Sequence, residues 1–231
     1  MRVFLFFFFL LFLFTSCGNK ADIGKVTDVK PEAIYYDYKI WGEEGKDDVT
    51  VMLQFRFGSK DGPALILDEP SKVTLDGVKL QGDSVSITGA FYELVKPLNE
   101  FRGEHTIIFT DSRKGEHKEE FNFLPFSLIT ELPEEIENRP FTIQLKDFPQ
   151  QPTGIRLVMI DTSYQTMDVN EEIVIKEGQI PITANHLSAL SAGPVTLEIY
   201  REEETPLKNA SKKGGRLLMT YGLRRQFTLM E

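Results

Sequence analysis

Few side chains in this sequence combine a reactive type with a useful spacing. The three histidines, His105, His117 and His186, are scattered, and Cys17 is the only cysteine. None of the histidines lies at a helix or strand ligand spacing from another, so a zinc site lacks its donors. Glu43, Glu44, Asp47 and Asp48 crowd one stretch, and hard cations such as calcium take carboxylate oxygens. That stretch lacks the D-x-[DN]-x-[DN]-G spacing of a calcium loop and reads as a solvated acidic hairpin. No metal and no cofactor is expected. His186 lies close to Ser188, but neighbours on a turn do not make a nucleophile and its base, and His186 reads as a turn or cap residue. G-x-S-x-G, H-E-x-x-H and glycine-rich phosphate loops are absent. The 35 acids offer many carboxylate pairs for glycoside hydrolysis, and no spacing singles one out. No catalytic residue is assigned. What remains is aromatic: Tyr35 and Trp41, the one tryptophan of the chain, as candidate ligand-binding residues able to stack on a sugar or anchor a protein contact.

These two aromatics need a strand to present them, and the chain supplies one. Ile34, Tyr36, Tyr38 and Ile40 alternate with Tyr35, Asp37, Lys39 and Trp41. The period of two predicts one buried face and one face carrying Tyr35 and Trp41. Val49, Val51, Leu53, Phe55 and Phe57 repeat the pattern. Asp61-Gly62 and Asp76-Gly77 are turns, and Pro70 punctuates. Val85, Ile87, Thr106, Ile108, Phe121 and Phe123 continue the alternation, and no long amphipathic helix interrupts it. Many short strands at this spacing predict an all-β sandwich.

The strands fall into two sets. Asp83 to Thr88, then Gly103-Glu-His-Thr-Ile-Ile-Phe, then Phe126-Ser-Leu128 is echoed by Gly178 to Thr183, Gly193-Pro-Val-Thr-Leu-Glu-Ile and Phe227-Thr-Leu229. Ala184 to Leu190 reads as one helical turn between strands. The order resembles the later strands of immunoglobulin-like and fibronectin-like sandwiches, and it implies two tandem modules. The first spans 26–129 and the second 141–231. Between them 130–140, with two prolines and four glutamates, reads as a linker with hinge freedom. Glu202 to Gly215 lengthens the final hairpin of the second module.

The net charge of −9 argues against nucleic acid as a partner. The end is the exception: Thr205 to Glu231 holds Lys208, Lys212, Lys213, Arg216, Arg224 and Arg225 against one acid. Such a run is either a solvated hairpin or a patch for phospholipid, acidic glycan or the acidic first module.

The start places the protein. Val3 to Phe14 is an unbroken apolar run after Met1 and Arg2. As a helix it reaches about 18 Å, short of the roughly 30 Å hydrocarbon core. It has the plan of a cleaved signal peptide, 1–16. Phe14-Thr15-Ser16-Cys17 resembles the lipobox of bacterial lipoproteins, with Phe14 where that family usually carries an aliphatic residue. The resemblance covers the first 18 residues. It implies diacylglycerol on Cys17, cleavage before it, and acylation of the new N-terminus. Gly18, where the family's inner-membrane proteins carry Asp, points to the outer membrane. Residues 17–25 then read as a lipidated tether no longer than roughly 25 Å.

Three functions are open at this stage. The first is a lipid-anchored, non-enzymatic envelope protein whose sandwiches act as spacer and protein-binding surface, an accessory subunit of a larger complex. The second is a surface glycan-binding lipoprotein, similar in plan to the starch-binding lipoproteins of gut bacteria. The third is a small hydrolase. The glycan reading expects Trp41 exposed, and the scaffold reading expects it turned into the core.

Overall fold

The computed structural model describes residues 23–85, 89–162 and 169–231. Cys17, the apolar run before it and Ile87 lie outside the described residues. The fold is all-β. One sheet of eleven strands runs the length of the molecule, and two smaller sheets cover one face of it.

The first half is a sandwich with the immunoglobulin-like strand order. One layer contains β2 (Ile34–Glu43), β3 (Asp48–Phe57), β8 (Gly89–Pro97) and β7 (Gln81–Val85), paired in that order. The other contains β10 (Glu116–Phe123), β9 (Gly103–Thr110), β5 (Lys72–Leu75) and β6 (Val78–Lys79). β5 and β6 are joined by Asp76-Gly77, both at positive φ, as a two-residue hairpin turn demands. The second half repeats the plan. β11 (Ser127–Leu128), β13 (Phe141–Lys146) and β16 (Gln179–Ile182) form one layer. β18 (Gly214–Leu229), β17 (Gly193–Ser211), β14 (Thr153–Asp161) and β15 (Val169–Ile175) form the other. The helical turn is α1 (Ala184–Ser188).

The halves meet edge to edge. β18 pairs in parallel with β2, from Gly215↔Tyr36 to Gly222↔Glu43, and this welds one layer of each sandwich into the long sheet. The extra length of the final hairpin makes the weld. β14 flanks β17 only from Val195 to Tyr200, and beyond that the hairpin runs on across the first half. Gly215 is required at the join: a Cβ there would lie 2.7 Å from the Tyr36 carbonyl oxygen and 2.8 Å from Leu207. The acidic stretch 130–140 is tied as well, through β12 (Glu135–Ile136), which pairs in parallel with the end of β18. Ile23–Lys25, read as the end of a tether, is a short strand, β1, pairing with β4 (Ala64–Ile66).

The alternating residues fill the core between the layers. Ile34, Tyr36, Tyr38, Ile40, Val49, Val51, Leu53 and Phe55 are all fully buried. Phe57 shares their parity but is 47% exposed, because the strand ends there and turns into the loop closed by its N–H to the Pro63 carbonyl. The echo between the halves is real at Gly103 and Gly193, which open β9 and β17 at φ of 119° and 129°. Its closing element differs from expectation. Phe123 pairs with Gly103 as Leu229 pairs with Gly193, so Phe121-Asn-Phe123 is the counterpart of Phe227-Thr-Leu229. Ser127-Leu128 instead belongs to the second sandwich, on β13.

Candidate functional site

The long sheet has an inner face under the two smaller sheets and an outer face on which Trp41 and Val95 are exposed. Side chains alternate, so the outer face of its first half carries Tyr35, Asp37, Lys39 and Trp41 from β2. Register places their neighbours. One row across the sheet reads Glu202, Thr220, Trp41, Thr50, Val95, and the next reads Glu204, Leu218, Lys39, Met52, Glu93. Trp41 is 40% exposed at the middle of its row, and Val95, two strands away with Thr50 between, is exposed too. The scaffold reading's expectation that Trp41 turns into the core is corrected: strand parity holds it outward, opposite to Ile40, and its exposure is the one the glycan reading expects.

Tyr35 lies on the same face but not at the same place. Six residue steps of strand separate it from Trp41, about 20 Å. Between them stand Asp37 and Lys39, so the two aromatics do not form one platform. Tyr35 is half-buried, and burial pushes its hydroxyl above the ordinary tyrosine value.

A charge network lies between them. Asp37 is 3% exposed, an unusual place for a carboxylate. Arg216 Nε donates to its Oδ1 at 2.7 Å, and Lys39 Nζ lies 3.5 Å from Oδ2. Arg216 Nη1 donates to Glu204 at 2.8 Å. A buried charge is tolerated when it is paired and hydrogen-bonded, and here the partner arrives on β18 from the second half. Gln54 and Arg56 extend the network: Arg56 donates to Gln54 Oε1 at 2.9 Å and to the Gly62 carbonyl at 3.1 Å. At the other end of the seam Arg225 holds Glu44 at 2.6 Å and Glu131 at 2.6 Å. Three arginines of the basic C-terminal run are therefore spent on acids of the fold, the third being Arg224 on Glu198.

The remaining candidates are engaged elsewhere. His105 is buried, stacked on Phe101 at 3.9 Å, with its ring nitrogens against Asp76 and the Phe101 carbonyl. His186 caps α1: its backbone N–H donates to Thr183 Oγ1 and its Nδ1 accepts from the Thr183 N–H. Its Nε2 lies 2.6 Å from Glu171. In the acidic loop Glu44 faces Arg225, and the Asp47 carbonyl accepts from Leu98. Among the described residues no three His, Cys, Asp or Glu side chains converge as a metal would need.

His117 joins the hairpin to the first sandwich. Its nitrogens face the Asn209 carbonyl at 3.0 Å and the Asp111 carboxylate at 3.1 Å. Burial pushes the Asp111 carboxyl up, but the His117 ring and the N–H groups of Gly115 and Arg113 outweigh it and hold the group below the ordinary aspartate range. A lowered folded value means stability that is complete above the unfolded pKa of about 4 and is lost as pH falls through the lower folded value. Melting temperature should therefore drop on acidification below about pH 4, and Asp111→Asn should flatten that part of the profile. An unchanged acid limb in the variant would show that Asp111 carries none of it.

Sequence reasoning found Trp41 and Tyr35 but missed Val95, Met52, Leu218 and Thr220. Leu218 and Thr220 alternate with buried Leu217 and Met219, so their outward parity was readable. That β18 lies beside β2 was not.

No family model and no curated protein matches this chain. Solved structures do. The crystal structure of DIP-gamma IG1+IG2 is 9% identical, covers 85% of this chain and 95% of its own, and has a TM-score of 0.23. Dpr11 IG1 bound to DIP-gamma IG+IG2 is 13% identical over 81% of this chain and 96% of that one, with a TM-score of 0.22. The Yersinia pseudotuberculosis adhesin InvE is 13% identical over 87% of this chain and 60% of its own, with a TM-score of 0.24. The immunoglobulin-like assignment of this chain rests on the strand order described above.

Proposed function

We propose that this chain is a lipid-anchored, non-enzymatic binding protein of the bacterial outer membrane, and that the outer face of its long sheet takes a protein partner. The observation that carries the reading is Trp41, the only tryptophan, held outward and 40% exposed on the outer face of the long sheet. Val95, Thr50 and Thr220 share its row, and Lys39 and Glu93 stand in the next. An apolar centre with charges around it is the anatomy of a protein interface, and tryptophan is the residue type that most often dominates one. Cys17 supplies the anchor, and the first sandwich carries the binding face.

The test is a mild-detergent pull-down of the lipidated protein from its native envelope, with Trp41→Ala and Cys17→Ser beside it. A central tryptophan is worth about 2 kcal/mol or more, so Trp41→Ala should weaken capture about 30-fold. Its melting temperature should not move, because truncating an exposed side chain costs little stability. Equal capture by Trp41→Ala would overturn the assignment of this face.

The exposed Trp41 also favours a second reading, binding of a glycan by ring stacking. With Tyr35 about 20 Å away the platform is a single residue. Since the chain has one tryptophan, intrinsic fluorescence reports on that residue alone. A shift on titration with sugar, and none with captured protein, would select the glycan reading.

A further inference from the structure

The lysines of the C-terminal run, which make no direct ion pair among the described residues, lie at one end of the molecule, and register shows which end. Ile23 is level with Ala64, Ala64 with Arg56, and Arg56 with Tyr35, while the adjacent Tyr36 is level with Gly215. β1, β4, β2 and β18 all run the same way, so the chain enters the fold at the end where the hairpin of β17 and β18 has its tip. The tip, 211–214, is docked there. Ser211 Oγ donates to the Ile34 carbonyl, Asn209 Nδ2 donates to the Lys118 carbonyl at 2.7 Å, and the Lys208 N–H donates to Glu119 at 2.9 Å. The second sandwich lies at the opposite end of the long sheet.

This end is basic in a chain of net charge −9. Lys212 and Lys213 are exposed on the tip, and Arg113 and Lys114 are exposed on the neighbouring loop 111–115. Lys30 and Lys60 are exposed on segments that meet at Ala33, whose N–H donates to the Lys30 carbonyl and whose carbonyl accepts from Gly58. The acids here are fewer. Glu32 is shared by Arg113 at 2.8 Å and the nearby Lys212, Asp111 is buried against His117, and Asp28, Asp61 and Glu116 are exposed.

We infer that this basic end is a membrane-facing surface that rests on anionic phospholipid headgroups, with Lys212 and Lys213 at its centre. The inference builds on the lipid anchor at Cys17 proposed above. Six peptide steps separate Cys17 from Ile23, a span of no more than about 22 Å. An anchor so close holds the entry end near the bilayer, where the potential of anionic lipid acts on each lysine within about a Debye length. Attraction of this end and repulsion of the acidic remainder together stand the molecule upright, with the second sandwich outward.

The full chain purified from its envelope is floated with vesicles of phosphatidylcholine, or of phosphatidylcholine with a third of phosphatidylglycerol, in low and high salt, and surface lysines are labelled with an aqueous amine reagent. Flotation with both vesicles at either salt establishes the anchor. The surface then reads as slower labelling of Lys212 and Lys213 on the anionic vesicles, by about fivefold or more, relieved by salt. Lys176, exposed on the second sandwich, should label equally throughout. A Lys212→Glu, Lys213→Glu variant should lose the protection of Lys114. Equal labelling of Lys212 and Lys213 on both vesicles, with flotation intact, would overturn the surface and leave the anchor standing. Flotation only with anionic vesicles in low salt would do the reverse. No flotation at all would overturn both.

Discussion

Arg216→Ala should lower the stability of the fold by about 3 kcal/mol. The change removes the guanidinium that donates to Asp37 at 2.7 Å and leaves a carboxylate, 3% exposed, with only Lys39 at 3.5 Å. Deleting one member of a buried pair costs 3–5 kcal/mol, because the other charge stays out of water without compensation. Lys39 keeps the figure at the low end. The loss should appear as a lower urea midpoint with little change in slope. Arg216→Met combined with Asp37→Asn should recover most of it, since replacing both partners with groups that need no ion pair is nearly neutral. A loss below about 1 kcal/mol would mean that the pair behaves as a surface one. The position bears on function, because this pair bridges β18 and β2 on the face that carries Trp41. The single variant should therefore also weaken partner capture, through a disturbed sheet and not a lost contact.

The second large effect is expected at Phe109→Ala, at about 4 kcal/mol. Phe109 is fully buried on β9, the strand that presses the covering sheet onto the inner face of β2. Its ring lies 4.4 Å from that of Phe55 and 5.2 Å from that of Tyr36. Truncation deletes the transfer free energy of a phenyl ring and leaves a cavity between two rigid sheets that cannot both collapse into it. Phe109→Leu should cost far less, about 1 kcal/mol, because volume is largely kept. Both are read from thermal or urea unfolding. Equal losses in the two variants would mean that the ring–ring contacts, and not the filled volume, carry the stability.

What could be read from the residues was local. Period-two alternation marked Ile34, Tyr36, Tyr38 and Ile40 as an inner face and Tyr35 and Trp41 as an outer one, and the strand obeys it. Asp76-Gly77 announced its turn because few residues besides glycine, asparagine and aspartate accept positive φ. The spacing of strands carried the all-β class, and Gly103 and Gly193 marked the repeat. Each of these depends on residues close together in the chain, where backbone sterics act directly.

What the residues did not disclose is pairing at long range. That β18 lies in parallel beside β2 joins positions about 180 residues apart, and it turns a solvated-looking hairpin into the seam of the molecule. From that pairing follow the burial of Asp37, the partner of Arg216, the neighbours of Trp41 and the position of Lys212 and Lys213 at the entry end. A strand's own sequence specifies which side chains face inward but not which strand lies next to it, because backbone hydrogen bonds are the same for every partner. Only the packing of the whole chain selects among the pairings that alternation allows.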